Sequence, residues 1–281
     1  MKEYDIKLIA LDLDRTTLDS AGRLSARTKN TLEAAIKKGV HVVIATGRAR
    51  TALPEDVCTI KGVRYIVTAN GACITDMKDN SIVYSNCIDA GALENTVELL
   101  RGYNFMYEFF IEGQAYVEKA VYDKIGTMNF GEKHKKYILE TRKPVEGLLD
   151  FALMHKSLIE NINLNFENQG DRSMMREVIG RLENVTITSS FDHNLEIGGA
   201  TTSKADALNT LCGKYGTAPE NVMACGDSPN DIAMLKAAGL SVAMGNAKDE
   251  VKAAAMYVAA SNDEDGVAEA VEKFVLKNEI D

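Results

Sequence analysis

The chain has 281 residues, of which 46% are hydrophobic, and its formal net charge is −9. This length and composition predict a globular protein with one large domain or two modest ones. This negative charge argues against nucleic acid or an anionic membrane surface as a partner. No apolar run reaches membrane length, so the cytoplasm is the expected compartment.

The first eighty or so residues predict a parallel sheet with crossover helices. The apolar runs KLIAL, VHVVIAT and VRYIVTA alternate with the helical pattern SARTKNTLEAAIKKG. This alternation is typical of α/β folds. Ser25 is expected to cap the first helix, and Gly39 is expected just past its end.

Two aspartates follow the first predicted strand. In LIALDLDRTTLDS, Asp12 and Asp14 lie two positions apart, and an extended backbone would send both side chains to one face of the sheet edge. The same alternation predicts that Arg15 points away from that face. Two carboxylates this close repel each other unless a positive charge lies between them. A polar turn at the end of a strand remains the alternative interpretation.

The second strand ends in VVIATGRAR, which places Thr46, Gly47 and Arg48 just before a helix. A hydroxyl and free backbone N–H groups at this position suit an oxyanion. Thr-Gly is also a common end of a strand, so this cluster alone does not decide between the two interpretations.

Residues 86–190 predict an inserted α+β domain. FMYEFFIEGQAYVEK predicts two strands around a Glu-Gly-Gln turn, and NINLNFE alternates as a half-exposed antiparallel strand does, with Ile162, Leu164 and Phe166 on one face. Helical patterns at AGALENTVELLRGY and DRSMMREVIGRLE complete the set.

The α/β alternation returns after residue 190 and adds two further clusters. Lys204 opens a helix in TTSKADAL, and ACGDSPNDIAML places Asp227 at a strand end with Asn230 and Asp231 opening the next helix. Helix capping accounts for Ser228 and the proline after it, but it does not require further acids. The i, i+4 spacing puts Asp227 and Asp231 on roughly one side.

Together, these clusters resemble the haloacid dehalogenase superfamily of phosphohydrolases. The resemblance rests on the D-x-D-x-T start, the threonine after the second strand, the distant lysine and the G-D-x-x-N-D motif, in that order over nearly the whole chain. TANGACI, MGNA and NDEDGVAEAV narrow it to the Cof-type phosphatases. The chain departs from that pattern at Arg15, where glycine is usual, and in SKAD, where Lys-Gly is usual.

The resemblance implies a Rossmann-like parallel-sheet core with helices on both faces, formed by residues 1–85 and 191–281. Residues 86–190 would form an inserted α+β cap that closes over the core and determines substrate specificity. It further implies a Mg²⁺-dependent phosphatase that acts on a small phosphorylated metabolite.

The resemblance also assigns roles to individual residues. Asp12 would be the nucleophile that forms an aspartyl-phosphate, and Asp14 the general acid and base. Mg²⁺ would be held by Asp12, the backbone carbonyl of Asp14 and Asp227, with Asp231 supporting that shell. The remaining implied residues are Thr46, Gly47, Lys204 and Asn230 for phosphate binding, and Arg48 and Asn70 for the border of the substrate pocket.

Two other functions remain open from the sequence. A phosphomutase would use the same aspartates but return the phosphoryl group to its sugar. A receiver-like phosphorylatable module also combines acids, a threonine and a lysine, but receivers lack an acid two residues after the nucleophile and a large insertion. The substrate could be a sugar phosphate, a nucleotide or pyridoxal phosphate, and the sequence predicts no oligomeric state.

Overall fold

The structure is a computed structural model that describes residues 4–277. The chain forms two compact units. The first contains the residues up to Gly47, Leu53–Tyr84 and the residues from Ser203 onward, and the second contains Arg48–Ala52 and Ser85–Thr202. Among the described residues, no helix is both long and apolar enough to cross a lipid bilayer.

The strands are, in chain order, β1 (Leu8–Leu11), β2 (His41–Ala45), β3 (Tyr65–Thr68), β4 (Cys73–Asp76), β5 (Ser81–Ser85), β6 (Met106–Ile111), β7 (Gln114–Glu118), β8 (Arg142–Val145), β9 (Ile159–Asn165), β10 (Val185–Thr188), β11 (Asn194–Gly199), β12 (Val222–Gly226), β13 (Leu240–Ala243) and β14 (Tyr257–Val258). The α-helices are α1 (Ala26–Lys37), α2 (Glu55–Cys58), α3 (Ala90–Leu100), α4 (Lys119–Tyr122), α5 (Glu132–Thr141), α6 (Leu148–Met154), α7 (Gln169–Ile179), α8 (Lys204–Tyr215), α9 (Ile232–Ala237), α10 (Asp249–Ala253) and α11 (Gly266–Val271).

The first unit is built on one sheet with the strand order β14-β13-β12-β1-β2-β3-β4-β5. β1 lies between β12 and β2 and is parallel to both, whereas β4 is antiparallel to β3. The α/β core predicted from the sequence is therefore confirmed. Because β1, β2 and β12 are parallel, the residues that follow them meet at one edge of the sheet.

The first crossover helix forms as its sequence predicts. The Ser25 side chain accepts a hydrogen bond from the Thr28 backbone N–H and so caps α1. Leu32 and Ala35 bury the inner face of the helix in the core. Gly39 follows the last turn with a φ of 87°, a left-handed conformation that glycine adopts without steric cost.

The second unit is built on a sheet with the order β10-β11-β9-β6-β7-β8, antiparallel except for the parallel pair of β7 and β8. The predicted hairpin is present as β6 and β7, joined at Glu112 and Gly113. Ile162, Leu164 and Phe166 pack in one apolar cluster, as predicted. The prediction that this strand is half-exposed is wrong, because every residue of β9 is buried.

The limits of the second unit differ from the predicted boundary at residue 190. β11 pairs with both β9 and β10, so its hydrogen bonds hold the chain in the second sheet as far as Gly199, and the second unit ends at Thr202. The short segment Arg48–Ala52 also belongs to the second unit, in part because the Thr51 N–H donates to the Gly113 carbonyl over 2.9 Å. A sequence pattern does not reveal such a contact between distant segments.

Candidate active site

Asp12 directly follows β1 and lies at the edge of the first sheet. Its backbone N–H donates to the Cys225 carbonyl of β12 at 3.0 Å, which extends the pairing of the two strands by one residue. The side chain is buried. Burial is the largest cause that raises the pKa of the Asp12 carboxyl, and the negative charge of Asp231 is the second. The positive charge of Lys204 lowers this pKa and so opposes the shift.

Lys204 supplies a positive charge inside this cluster. Its Nζ donates to Asp12 Oδ1 at 2.5 Å and to Asp231 Oδ1 at 2.7 Å, and its side chain is fully buried. Burial alone would lower the pKa of Lys204, but the two carboxylates outweigh burial and raise it. The two carboxylates therefore favour the charged form of Lys204 in the folded protein.

Gly71 allows the start of α8 to reach this position. A Cβ on Gly71 would lie 2.1 Å from the Ser203 carbonyl oxygen, and the φ of Gly71 is +105°. Ser203 then caps α8 by accepting a hydrogen bond from the Asp206 N–H. Any larger residue at position 71 would displace the helix end that carries Lys204.

The turn after β12 fixes Asp231. Its Oδ2 accepts hydrogen bonds from the backbone N–H groups of Asp227 and Ser228, both at 2.9 Å, in the manner of a capping box. Gly226 makes room for this carboxylate, because a Cβ there would lie 2.4 Å from the Asp231 Cβ. Both oxygens of Asp231 thus have partners within the protein.

Asp12, Asp227 and Asp231 form an acidic triad, and one carboxylate oxygen from each lies within 4.8 Å of the others. Burial, followed by the charge of Asp231, raises the pKa of Asp227 to about 6, and Arg15 opposes the shift. Three acids share this site with the Lys204 ammonium, which contacts Asp12 and Asp231, and with the half-exposed guanidinium of Arg15, so acids outnumber cations. Hard oxygen donors with excess negative charge fit a divalent cation such as Mg²⁺.

The loop after Asp12 corrects the prediction that Arg15 points away. Asp14 has φ −72° and ψ 128°, and Arg15 has φ 60° and ψ 11°, a left-handed conformation that ends the extended alternation. The Arg15 Nε consequently lies 3.6 Å from Asp227 Oδ2. The left-handed backbone also explains why glycine is the favourable residue at this position.

Two side chains that the sequence interpretation did not assign to the site contact Asp227. Ser228 Oγ donates to Asp227 Oδ2 at 3.1 Å, and Thr16 Oγ1 donates to Asp227 Oδ1 at 3.3 Å. Ser228 was interpreted only as a helix cap. Thr16 is the threonine of the D-x-D-x-T motif, so the motif could have indicated the contact between Thr16 and Asp227.

Thr46, Asn70 and Asn230 are brought together in the first unit. The Asn70 N–H donates to the Thr46 carbonyl at 3.0 Å, and Asn230 Nδ2 donates to Asn70 Oδ1 at 2.9 Å. Gly47 directly follows Thr46 and is partly exposed. Asn70, expected at the border of the substrate pocket, thus contacts Asn230, which was expected to bind phosphate.

Arg48 belongs to the second unit. Its Nη1 donates to the Ala52 carbonyl at 2.8 Å, and its guanidinium carbon lies 5.0 Å from the centre of the Tyr137 ring. Stacking on an aromatic ring is a common use of arginine. Both contacts lie within the second unit, and the expected place of Arg48 at the border of the substrate pocket stays a prediction.

Comparison with known proteins identifies the same family over most of the chain. Residues 9–271 match the family model described as haloacid dehalogenase-like hydrolase. A 5-amino-6-(5-phospho-D-ribitylamino)uracil phosphatase of Bacillus subtilis is 33% identical over 275 residues, covering 98% of each chain. A pyridoxal phosphate phosphatase of Escherichia coli is 28% identical and covers 96% of this chain and 99% of its own length.

A solved structure also matches the fold. It is a haloacid dehalogenase-like hydrolase from B. subtilis, with a TM-score of 0.83 and 28% sequence identity, and it covers 95% of this chain and 99% of its own chain.

Proposed function

Since this chain belongs to the haloacid dehalogenase superfamily and is a Cof-type phosphatase of small phosphorylated metabolites, we propose that it hydrolyses phosphomonoesters through an aspartyl-phosphate on Asp12. The observation that carries this proposal is the contact of Lys204 with both Asp12 and Asp231 beside Asp227. A nucleophilic carboxylate at a buried sheet edge needs a fixed cation beside it before it can approach a phosphate dianion.

Mg²⁺ is the cofactor that we propose for this site. Asp12, the Asp14 backbone carbonyl and Asp227 would hold the ion, which would offset the negative charge of the substrate phosphate. Asp231 instead orients Lys204 and the Asp227 turn, because its own oxygens already accept hydrogen bonds from those groups.

The proposed reaction has two steps. The Asp12 oxygen attacks phosphorus and the ester P–O bond breaks, while Asp14 gives its proton to the departing oxygen. Water then attacks the phosphorus of the acyl phosphate, Asp14 takes the proton of that water, and inorganic phosphate leaves with Asp12 restored. Thr46, the Gly47 N–H and Lys204 would hold the phosphoryl oxygens, with Asn230 beside them.

The relatives suggest which substrates to test first. The phosphatase of B. subtilis described above is named for 5-amino-6-(5-phospho-D-ribitylamino)uracil, and the E. coli relative for pyridoxal phosphate. We propose the ribitylaminouracil phosphate as the first candidate, because that relative is the more similar of the two.

Release of inorganic phosphate by the purified protein tests the proposal. The panel contains 5-amino-6-(5-phospho-D-ribitylamino)uracil, pyridoxal phosphate, glucose 1-phosphate and p-nitrophenyl phosphate, each with Mg²⁺. Phosphate release from at least one substrate, absent in Asp12→Ala, is the expected result. No release from any of them would contradict hydrolysis, and appearance of an isomeric sugar phosphate from glucose 1-phosphate without free phosphate would favour a mutase.

A further inference from the structure

The turn that follows β3 contains three consecutive residues with left-handed backbone. Ala69, Asn70 and Gly71 have φ values of 48°, 56° and 105°. Glycine adopts such angles freely and asparagine tolerates them, whereas alanine adopts them at a steric cost. Backbone of this kind persists only where the surrounding structure enforces it, and it clusters at functional sites. The turn therefore calls for a functional explanation.

The backbone of Asn70 is fixed to the end of β2. The Asn70 N–H donates to the Thr46 carbonyl at 3.0 Å. The Thr46 N–H in turn donates to the Val67 carbonyl of β3 at 2.9 Å, which continues the parallel pairing of the two strands. Asn70 is thus held beside a residue that we propose to bind phosphate.

The side chain of Asn70 reaches the turn after β12. Asn230 Nδ2 donates to Asn70 Oδ1 at 2.9 Å, and the two residues are only 9% and 6% exposed. In the strand order, β1 and β2 lie between β12 and β3. The contact therefore joins residues that follow non-adjacent strands, and it spans the sheet edge at which Asp12 follows β1.

Gly71 connects the same turn to the start of α8. A Cβ on Gly71 would lie 2.1 Å from the Ser203 carbonyl oxygen and 3.0 Å from the Lys204 backbone nitrogen. Residues 69–71 thus contact three segments of the first unit. These segments carry Thr46, Lys204 and Asn230, all of which we propose to bind the phosphoryl group.

Stability alone does not explain an asparagine at position 70. Within residues 4–277, Asn70 Nδ2 is buried and has no hydrogen-bond partner. Buried polar groups without partners are rare in folded proteins, and each one calls for an explanation. Glycine would adopt the same φ, keep the N–H for Thr46 and remove the unpartnered donor. The feature that glycine would not supply is the oxygen that accepts from Asn230.

We propose that Asn70 is a positioning residue that orients the amide of Asn230 toward the phosphoryl group. This inference rests on the proposed phosphatase function. A carboxamide NH2 carries two N–H groups in one plane, so Asn230 donates one to Asn70 and directs the other to a phosphoryl oxygen. Because Asn70 is itself held by the Thr46 carbonyl, the donors that follow β2 and β12 keep a fixed separation before the substrate arrives.

This role differs from that of a residue at the border of the substrate pocket. A pocket residue contacts the part of the substrate that varies among phosphomonoesters, so its loss affects substrates unequally. A residue that orients a phosphoryl donor acts on the group that all phosphomonoesters share. Removal of the Asn70 side chain should therefore lower kcat/KM by the same factor for every substrate.

Asn70→Gly tests the proposal, with Asn80→Gly as the matched control. Asn80 is also a left-handed asparagine, with a φ of 59°, but it is exposed between β4 and β5. Asn70→Gly should lower kcat/KM about tenfold or more, equally for p-nitrophenyl phosphate and pyridoxal phosphate, and should weaken inhibition by inorganic phosphate in parallel. Asn80→Gly should change neither quantity. Unequal losses for the two substrates would identify a pocket residue and overturn the inference.

A double-mutant cycle with Asn230→Ala tests whether Asn70 acts through Asn230. The double variant should lose no more than about twofold beyond Asn230→Ala alone, because without the Asn230 amide there is nothing left for Asn70 to orient. Losses that multiply would show that Asn70 acts independently of Asn230, and they would overturn the inference. Asn70→Ser, whose side chain lacks the amide oxygen, serves in the cycle if the glycine variant does not fold.

Two further measurements separate a positioning role from a structural one. Tm and the Mg²⁺ affinity measured by calorimetry should remain close to wild type in Asn70→Gly, because the substitution keeps the turn and its hydrogen bond to Thr46. A large fall in both quantities would show that the side chain supports the sheet edge as a whole, and it would overturn the specific role toward Asn230.

Failure of the phosphatase function would be visible separately. If the wild-type protein released phosphate from no ester, binding of inorganic phosphate in the presence of Mg²⁺ would be measured by calorimetry. The four proteins of the cycle would be compared. A loss of affinity that is coupled between Asn70 and Asn230 would support the positioning role without catalysis. Independent losses, or no phosphate binding by the wild type, would overturn it.

Discussion

Lys204 Nζ lies 2.5 Å from Oδ1 of Asp12, and both side chains are buried at the edge of the sheet of the first unit. The proposed nucleophile is thus neutralised by a fixed cation before any substrate arrives. Because Lys204 also holds Asp231, the ammonium is positioned from two sides and does not depend on the substrate for its orientation.

Replacing Asp12 with asparagine should abolish turnover. An amide keeps the size of the side chain but does not form the acyl phosphate, so kcat should fall by about a thousandfold or more. The measurement is steady-state phosphate release, with circular dichroism as the control for folding. Residual activity well above a thousandth of wild type, in a folded variant, would contradict a covalent route through Asp12.

Replacing Asp14 with asparagine should affect substrates unequally. The variant loses the proposed proton donor but keeps the backbone carbonyl. A substrate with an acidic leaving group, such as p-nitrophenyl phosphate, needs little protonation and should lose less in the first step than an alkyl phosphate. Single-turnover measurements on both substrates check this, and equal losses would defeat the assignment of Asp14 as general acid.

Removal of divalent cations should stop the reaction. EDTA should abolish phosphate release and added Mg²⁺ should restore it, whereas Ca²⁺ should substitute poorly because its larger and looser coordination misplaces the nucleophile. Mg²⁺ should also raise Tm, because it offsets the excess negative charge of three buried carboxylates. Full activity in chelator would disprove the proposed metal site.

The motif residues of the first unit could be placed from the sequence because parallel strands deliver their following residues to a common edge. Strand order brings Asp12 and Asp227 to one edge of the sheet, whereas Lys204 reaches them from the start of α8, which packs closely against Gly71. The direction of Arg15 could not be obtained in this way. It depends on the left-handed backbone conformation of Arg15. The Arg15 carbonyl accepts a hydrogen bond from Asn246 Nδ2 at 2.9 Å, and this contact joins two distant parts of the chain.

The polar face of β9 was misjudged for a related reason. Alternation in NINLNFE correctly identified the apolar face, but it does not reveal whether the other face is covered. The bulge at Glu160 was equally hidden, because it arises from the register between β6 and β9. Local patterns predict elements, whereas coverage and register are properties of the folded chain.

Replacing Arg15 with glycine should tighten Mg²⁺ binding severalfold. The guanidinium lies 3.6 Å from Asp227 Oδ2 and is half-exposed, so it opposes a cation at that carboxylate by on the order of 1 kcal/mol. Glycine also adopts the φ of 60° at this position without the steric cost of a side chain. Calorimetric titration with Mg²⁺ measures the effect, and Arg15→Lys, which keeps the charge, should resemble wild type.

The same variant tests whether Arg15 binds phosphate. We expect kcat/KM for a small phosphate to change by less than about tenfold, or roughly 1.4 kcal/mol. A loss beyond about a hundredfold, with weaker inhibition by inorganic phosphate, would identify Arg15 as a phosphate ligand. Unchanged Mg²⁺ affinity would show that the contact with Asp227 does not oppose the metal.

Replacing Glu160 with glutamine should stabilise the protein at alkaline pH. Burial raises the pKa of Glu160 to about 7. The hydrogen bond from the Gly113 N–H and the charge of Arg50 each lower this pKa, whereas the charge of Glu112 raises it further. The ordinary pKa of this carboxyl is 4.5. Between these two values the folded state holds a proton that the unfolded state has released, so the free energy of unfolding decreases as pH rises through this window.

Glutamine removes this dependence while keeping an oxygen for the Gly113 N–H. The difference in unfolding free energy between Glu160→Gln and wild type should be near zero at pH 4 and grow to about 2–3 kcal/mol at pH 8. Urea unfolding of both proteins at several pH values measures it, and the subtraction cancels the titration of other groups. Parallel stability curves would show that Glu160 is already charged in the folded protein at pH 5, and that burial does not hold its proton.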